Sequence, residues 1–298
     1  MHGREALVIA ALSAAVWAQD RVQDTLPPET TFRTTTDFVQ LNVSVFDSSG
    51  KILKDLPESA FAVYENGVKQ QIKVFRQEDV PVSLGLVIDN SSSMKEKRDR
   101  VASAALAMVK ASNPEDEVFL IHFNEEPLLT QDFTSDVGTL EKGLRNIRSQ
   151  GETAMRDALL LGIEHLRHRG KREKKVLVVI TDGEDNSSVE TQPHLIEAAH
   201  RNDVMIYGIG LLGNEPNTGQ TKKQLEDLTL STGGRAWFPN DVAEIANITP
   251  EIAHEIRNQY IIGYTPPEGP PGVFRPVKVT VNVPGAVVRT RAGYYSRR

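Results

Sequence analysis

The segment Asp89-Asn90-Ser91-Ser92-Ser93-Met94 sets one carboxylate and two hydroxyls at alternate positions along a short stretch of chain. Oxygen donors of this kind suit a hard divalent cation such as Mg²⁺, Ca²⁺ or Mn²⁺, and the chain has no cysteine to offer a softer metal. Alone, Asp-x-Ser-x-Ser is a common pattern, because serine-rich turns often follow strands. Two further segments strengthen it. Thr181-Asp182-Gly183-Glu184-Asp185 follows an apolar run and supplies a second carboxylate, and Gly151-Glu152-Thr153-Ala154 supplies another hydroxyl ahead of a helical stretch. Glu184 and Asp185 either extend the same site or are solvated loop acids.

The elements that must hold these residues follow from periodicity. Val82–Ile88, Val118–Phe123, Val176–Ile180 and Val204–Ile209 are nearly continuous apolar runs, the pattern of parallel strands covered on both faces. Between them, Arg98–Ser112 is rich in helix formers and stops at Asn113-Pro114. Ala154–Arg169 places Met155, Leu159, Ile163 and Leu166 on one face, and Leu195–His200 and Leu225–Leu228 are shorter helical pieces. Thr249 and Pro250 read as cap and first turn of a last helix, Glu251–Asn258. The alternation predicts an α/β domain over residues 81–258, doubly wound on a mainly parallel sheet, with ligands at the C-terminal strand ends. Asp89 and Asp182 stand at two such ends.

Both flanks carry β patterning. Residues 37–78 contain Phe38–Phe46, Phe61–Tyr64 and Gln71–Phe75, broken at Ser49-Gly50 and Asn66-Gly67. Residues 259–298 contain Tyr260–Tyr264, Val277–Val283 and Val287–Thr290, punctuated by Pro266-Pro267 and Pro270-Pro271. A few strands bury too little surface alone, so the two flanks are expected to pack together as one small antiparallel β unit.

The order Asp-x-Ser-x-Ser, distant Thr, distant Asp resembles the von Willebrand factor type A family and its metal-ion-dependent adhesion site. The resemblance falls on Asp89, Ser91, Ser93, Thr153 and Asp182. It implies that the serines bind the metal directly, the threonine directly or through water, and the aspartates largely through water. Phe61–Phe75, Tyr260–Pro267 and the ending Arg291-Ala292-Gly293-Tyr294-Tyr295 are similar to the flanks of a bacterial group of von Willebrand factor A-related proteins described from Acidobacteria. The likeness spans about Asp37 to Tyr295. Glu152 departs from it, standing where many members have glycine; it either adds charge near the metal or faces solvent. Related domains also imply that occupation of the metal site biases the metal loops and the final helix.

Across 298 residues, 34 Lys and Arg stand against 40 Asp and Glu, a formal net charge of −6. That balance lacks the basic excess of a nucleic-acid binder. Residues 1–18 have the layout of a secretory leader: Arg4, an apolar stretch from Ala6 to Val16, and a small residue at Ala18. The stretch is too short to span a bilayer, and no second one is long enough. Residues 19–36, with Pro27-Pro28 and several threonines, read as a linker. The expected setting is therefore periplasmic or secreted.

Other patterns are weaker. Ser92 and Lys95 match Ser-x-x-Lys but lack the Lys-Thr-Gly partner of that chemistry. Gly213–Thr221 has the wrong glycine spacing for a phosphate loop. His165 and His168 lie among Arg167, Arg169 and Lys171, as befits a basic helix end. The motif loops offer no general base and no nucleophile beside a base. The expectation is thus a non-enzymatic, exported binding module, adhesive or scaffolding. A divalent cation, Mg²⁺ first with Mn²⁺ or Ca²⁺ as alternatives, would capture a carboxylate of a partner protein. The rival readings are a metal-assisted hydrolase and a scaffold whose metal site is vestigial.

Overall fold

The computed structural model describes residues 38–145, 149–213 and 218–296. The leader and linker segments of the sequence reading lie outside the described residues. The chain opens with β1 (Val39–Phe46), β2 (Phe61–Glu65), β3 (Val68–Gln70) and β4 (Val74–Arg76). There follow β5 (Val82–Asp89), α1 (Arg98–Ala111), β6 (Glu117–Phe123), β7 (Pro127–Thr134), α2 (Val137–Arg145) and α3 (Met155–Arg169). Next come β8 (Lys174–Thr181), α4 (Gln192–Arg201), β9 (Val204–Gly210), α5 (Thr218–Thr232), β10 (Ala236–Trp237) and α6 (Ile245–Arg257). The chain closes with β11 (Tyr260–Tyr264), β12 (Phe274–Val281), β13 (Val287–Arg289) and β14 (Gly293–Tyr295).

A six-stranded sheet runs in the order β10-β9-β8-β5-β6-β7, with β7 alone antiparallel to its neighbour. Every residue of β5 and β9 is buried, so these strands read as unbroken apolar runs rather than alternating ones. Successive residues feed opposite faces. Leu84, Leu86 and Ile88 join Val176, Val178 and Ile180 under α1, α2 and α6, while Val87, Leu177 and Val179 face α3, α4 and α5. Each such side chain contributes about 1.5–3 kcal/mol of burial. Gly85 leaves the room that the Phe119 ring and Leu177 fill.

Strand order reverses at β5, since the chain leaves it first toward β6 and β7 and later returns to its other side as β8. The loops after β5 and β8 therefore splay apart above two adjacent strands, the crevice where α/β sheets place ligands.

The flanks pair as the sequence patterning anticipates. β1 runs antiparallel to β11 and β13, and β11 also pairs with β4, giving one sheet β13-β1-β11-β4. β2 pairs with β3 and β12, and β12 with β14, giving a second. The two sheets share a core of Leu41, Val43, Val63, Tyr260, Ile262, Tyr264, Val277 and Val279. Asn66 and Gly67, with φ of 50° and 79°, make the tight β2–β3 turn that an Asn-Gly pair favours. Glu65, 1% exposed, accepts from the hydroxyls of Tyr264 and Tyr294 and pairs with Arg275, joining strands of both sheets through one buried carboxylate.

One boundary departs from the sequence reading. The last helix does not begin at Thr249-Pro250. It starts at Ile245, after a 3-10 turn held by a capping box between Asp241 and Glu244, and Pro250 lies inside it. The Thr249 hydroxyl bonds the Ile245 carbonyl at 3.2 Å instead of capping. Ile245, Ile248, Ile252 and Ile256 form one stripe buried with α1, and that packing outweighs the backbone bond the proline removes.

Candidate metal centre

β5 ends in Asp89 and β8 ends in Thr181, on adjacent parallel strands whose register pairs Ile88 with Ile180. The next residues in register meet through side chains: the Thr181 hydroxyl donates to Asp89 Oδ2 at 2.6 Å. Asp89 Oδ1 accepts the Ser91 amide at 2.8 Å, which folds the loop back over the strand end. Asp89 is 2% exposed. Burial pushes its carboxyl above the ordinary range, against the lowering by the Thr181 and Ser91 hydrogen bonds, and nearby Asp182 pushes it the same way as burial.

Ser91 Oγ and Ser93 Oγ lie 3.1 Å apart. Ser91 is buried and Ser93 is exposed, so the pair opens toward solvent on one side. Ser93 Oγ donates to Asp182 Oδ1 at 2.7 Å, so in the 3.1 Å contact it accepts from Ser91 Oγ and keeps one lone pair uncommitted. Met94, 1% exposed, plugs the loop into the core below.

The loops are stitched by backbone. Asn90 N donates to Phe123 O at 2.7 Å, Gln150 N to Asn90 O at 3.0 Å, and Ser92 N to Gly151 O at 3.2 Å. Gly151 makes the turn at a φ of +77°, under the Glu125 carboxylate. Thr153, 4% exposed, has its amide on Asn186 Oδ1 at 3.0 Å, and its carbonyl accepts from the amides of Asn186 and Ser187. A Cβ added to Gly183 would lie 3.5 Å from Thr153 Oγ1, so that hydroxyl faces the residue next to Asp182. Asp89, Ser91, Ser93, Thr153 and Asp182 thus converge from three loops.

Whether these residues suit a cation is decided by their chemistry. Two buried carboxylates stand together with three neutral hydroxyls; among the described residues no group of three or more His, Cys, Asp or Glu is placed to hold a metal ion. The 3.1 Å between the serine oxygens is near the edge of an octahedral Mg²⁺ shell, about 2.8–3.0 Å for ligands at about 2.0–2.1 Å. The donor set fits a small hard cation.

Neighbouring residues divide cleanly. Asp185 turns away, accepting from Arg156 N and Ser188 and pairing with the Arg156 guanidinium, so it anchors the start of α3. Glu184 is exposed. Glu152 is also exposed, and its carboxylate accepts from Asn186 Nδ2 at 2.5 Å. His165 bonds Asp132 at 2.9 Å and stacks on Phe133, and exposed His168 lies beside Glu164. Two residues escaped the sequence reading. Thr181 was discoverable, because aligning the ends of two buried runs places it beside Asp89. Lys97, whose Nζ lies 2.5 Å from Asp182 Oδ2, carried no signal: it is a lone lysine before a helix.

The sequence model of the von Willebrand factor type A domain matches residues 84–184, the stretch from β5 through the loop after β8. Among relatives, inter-alpha-trypsin inhibitor heavy chain H3 of Rattus norvegicus is 30% identical over 173 residues, 53% of this chain and 19% of that one. Heavy chain H4 of Bos taurus is 29% identical over 126 residues, 38% of this chain and 14% of that one. The chain thus spans under a fifth of the length of these curated relatives. Among solved structures, a von Willebrand factor type A protein from Catenulispora acidiphila is 13% identical with a TM-score of 0.52, covering 90% of this chain and 76% of that one, a likeness of fold. Residues 84–184 thus match the von Willebrand factor type A domain, and the α/β fold around them is of the same kind.

Proposed function

We propose that this protein is a non-enzymatic binding module, working outside the cytoplasm, that captures a carboxylate of a partner protein through a divalent cation. Asp89, Ser91, Ser93, Thr153 and Asp182 would hold the cation, Mg²⁺ first. The observation that carries the reading is the pairing of two buried carboxylates with an exposed, proton-committed Ser93 hydroxyl 3.1 Å from Ser91 Oγ. Neutral hydroxyls and hydrogen-bonded carboxylates would leave a bound cation electrophilic, able to accept one oxygen from outside. Capture rather than cleavage follows from the surroundings. Asp89 is held by Thr181 and Ser91, Asp182 by Ser93 and Lys97, and neither is disposed to take a proton from an attacking water. Placement outside the cytoplasm rests on the leader-like residues 1–18, and the fold adds that no described helix is long and apolar enough to cross a membrane.

The test uses the full chain with Mg²⁺ or Mn²⁺ and with EDTA. A cation bound only by the folded state raises the melting temperature by mass action. The wild type is expected to melt higher with the cation and to bind a fluorescent glutamate-containing peptide only then, while Ser91→Ala/Ser93→Ala does neither. Phosphoesters, esters and peptides should survive unchanged. A melting temperature indifferent to both cations, or EDTA-sensitive turnover abolished by the double substitution, would sink the reading.

A further inference from the structure

The centre contains a positive charge of its own. Lys97 follows the 3-10 turn Ser92–Glu96 and directly precedes α1. Its ammonium lies 2.5 Å from Asp182 Oδ2, while Ser93 Oγ occupies Oδ1 of the same carboxylate at 2.7 Å. The Asp182 side chain is wholly inaccessible, and that of Lys97 is 30% exposed. Asp89 is buried nearby with both oxygens engaged by neutral donors. Two carboxylates withdrawn from water need a counter-charge, and the ammonium provides it.

We propose that Lys97 is an internal counter-cation that competes with the divalent cation for Asp182 and so sets how much divalent cation the site needs before it loads. This rests on the metal reading given above. Like charges brought within a few ångströms in a partly buried site oppose each other, so loading must displace the ammonium or bear its repulsion. Displacement is open to it. The lysine stem is long and flexible, the side chain is already partly exposed, and its departure breaks no backbone bond of α1. A tethered ammonium also keeps Asp182 paired when divalent cation is scarce, holding the loops in place. By linkage, any partner group that draws the ammonium away raises the affinity for the cation, and the cation raises the affinity for that partner.

The experiment titrates Mn²⁺ into the full chain, reading free Mn²⁺ by electron paramagnetic resonance and folding by circular dichroism. Lys97→Met removes the charge, Lys97→Gln keeps a hydrogen-bond donor without charge, and Lys97→Arg keeps the charge. The two neutral variants are expected to bind Mn²⁺ at least about tenfold more tightly than wild type, and Lys97→Arg within about threefold of it. In EDTA the neutral variants should melt below wild type, and Mn²⁺ should restore them by a larger margin than it adds to wild type. Equal or weaker Mn²⁺ binding by both neutral variants, with wild type still binding, overturns the role of Lys97 and leaves the metal reading standing. Absence of Mn²⁺ binding by wild type and every variant overturns both.

Discussion

His122, on β6 opposite Ile88 near the end of β5, gives the sharpest test of how this core is built. The residue is 6% exposed, and its Nδ1 lies 2.8 Å from Thr130 Oγ1. Burial lowers its pKa from 6.5 to about 3, because the imidazolium cannot be solvated there. The folded state therefore holds fewer protons than the unfolded chain between those values, and stability is lost as pH falls from 6.5 toward 3. At about 1.4 kcal/mol per pH unit, the loss reaches about 2 kcal/mol at pH 5 and about 3 kcal/mol at pH 4. Domains of this kind have about 5–15 kcal/mol in all, so acid should unfold this one early. His122→Gln keeps polarity without titrating in that range. At pH 7.5 it should cost about 1 kcal/mol for its poorer bond to Thr130. Urea unfolding in EDTA at pH 7.5, 6, 5 and 4 gives the difference curve, from which the common carboxylate contributions cancel. The variant is expected to overtake wild type below about pH 6, where the imidazolium deficit exceeds its fixed cost. Parallel curves at all four values would refute the argument.

Thr181→Val, nearly isosteric, leaves Asp89 Oδ2 without its 2.6 Å donor. It should cost about 1–3 kcal/mol in urea unfolding and shrink the Mg²⁺ shift in melting temperature. Arg289→Met strands Glu255, 3% exposed beside it, and should cost about 3 kcal/mol or more. Glu255→Gln added to it should recover most of that loss, and a double variant no better than the single would disprove the pairing.

How much of this was legible follows the physics of each element. Continuous apolar runs betray strands buried on both faces, so the ends of β5 and β8, and with them Asp89 and Asp182, stood in plain view. The flanking sheets were legible because neither flank could bury enough alone. Hidden features are those set by packing across sequence. β7 mixes polar and apolar residues irregularly and pairs with β6 through register shifts, so no period announces it. Pro250 reads as a helix start because local rules dominate a sequence reading, yet the isoleucine stripe from Ile245 carries the helix through it. Lys97 is invisible for a different reason. A single ion pair has no periodicity, and only the fold brings it against Asp182.

The resemblance assigns a part to the final helix, α6. It implies that occupation of the candidate site biases two arrangements of the loops after β5 and β8 and of that helix. In this chain its C-terminal turn is pinned from several sides. Glu255 accepts from Ser44 of β1 at 3.3 Å, Tyr207 of β9 at 3.2 Å and Arg289 of β13 at 3.3 Å. Lys174 of β8, 1% exposed, donates to the Ile256 carbonyl at 2.7 Å. Sliding α6 would strand a buried carboxylate, at about 3–5 kcal/mol, and at least one further buried polar group, at about 1–3 kcal/mol. A ligand shifts such an equilibrium only by its differential affinity for the two states, so a partner carboxylate would need more than about a thousandfold preference to move the helix. The β-sandwich therefore does more than complete a core. Through Arg289 and Ser44 it fastens the last helix to the sheet, and any capture at the loops after β5 and β8 is expected to leave α6 in place.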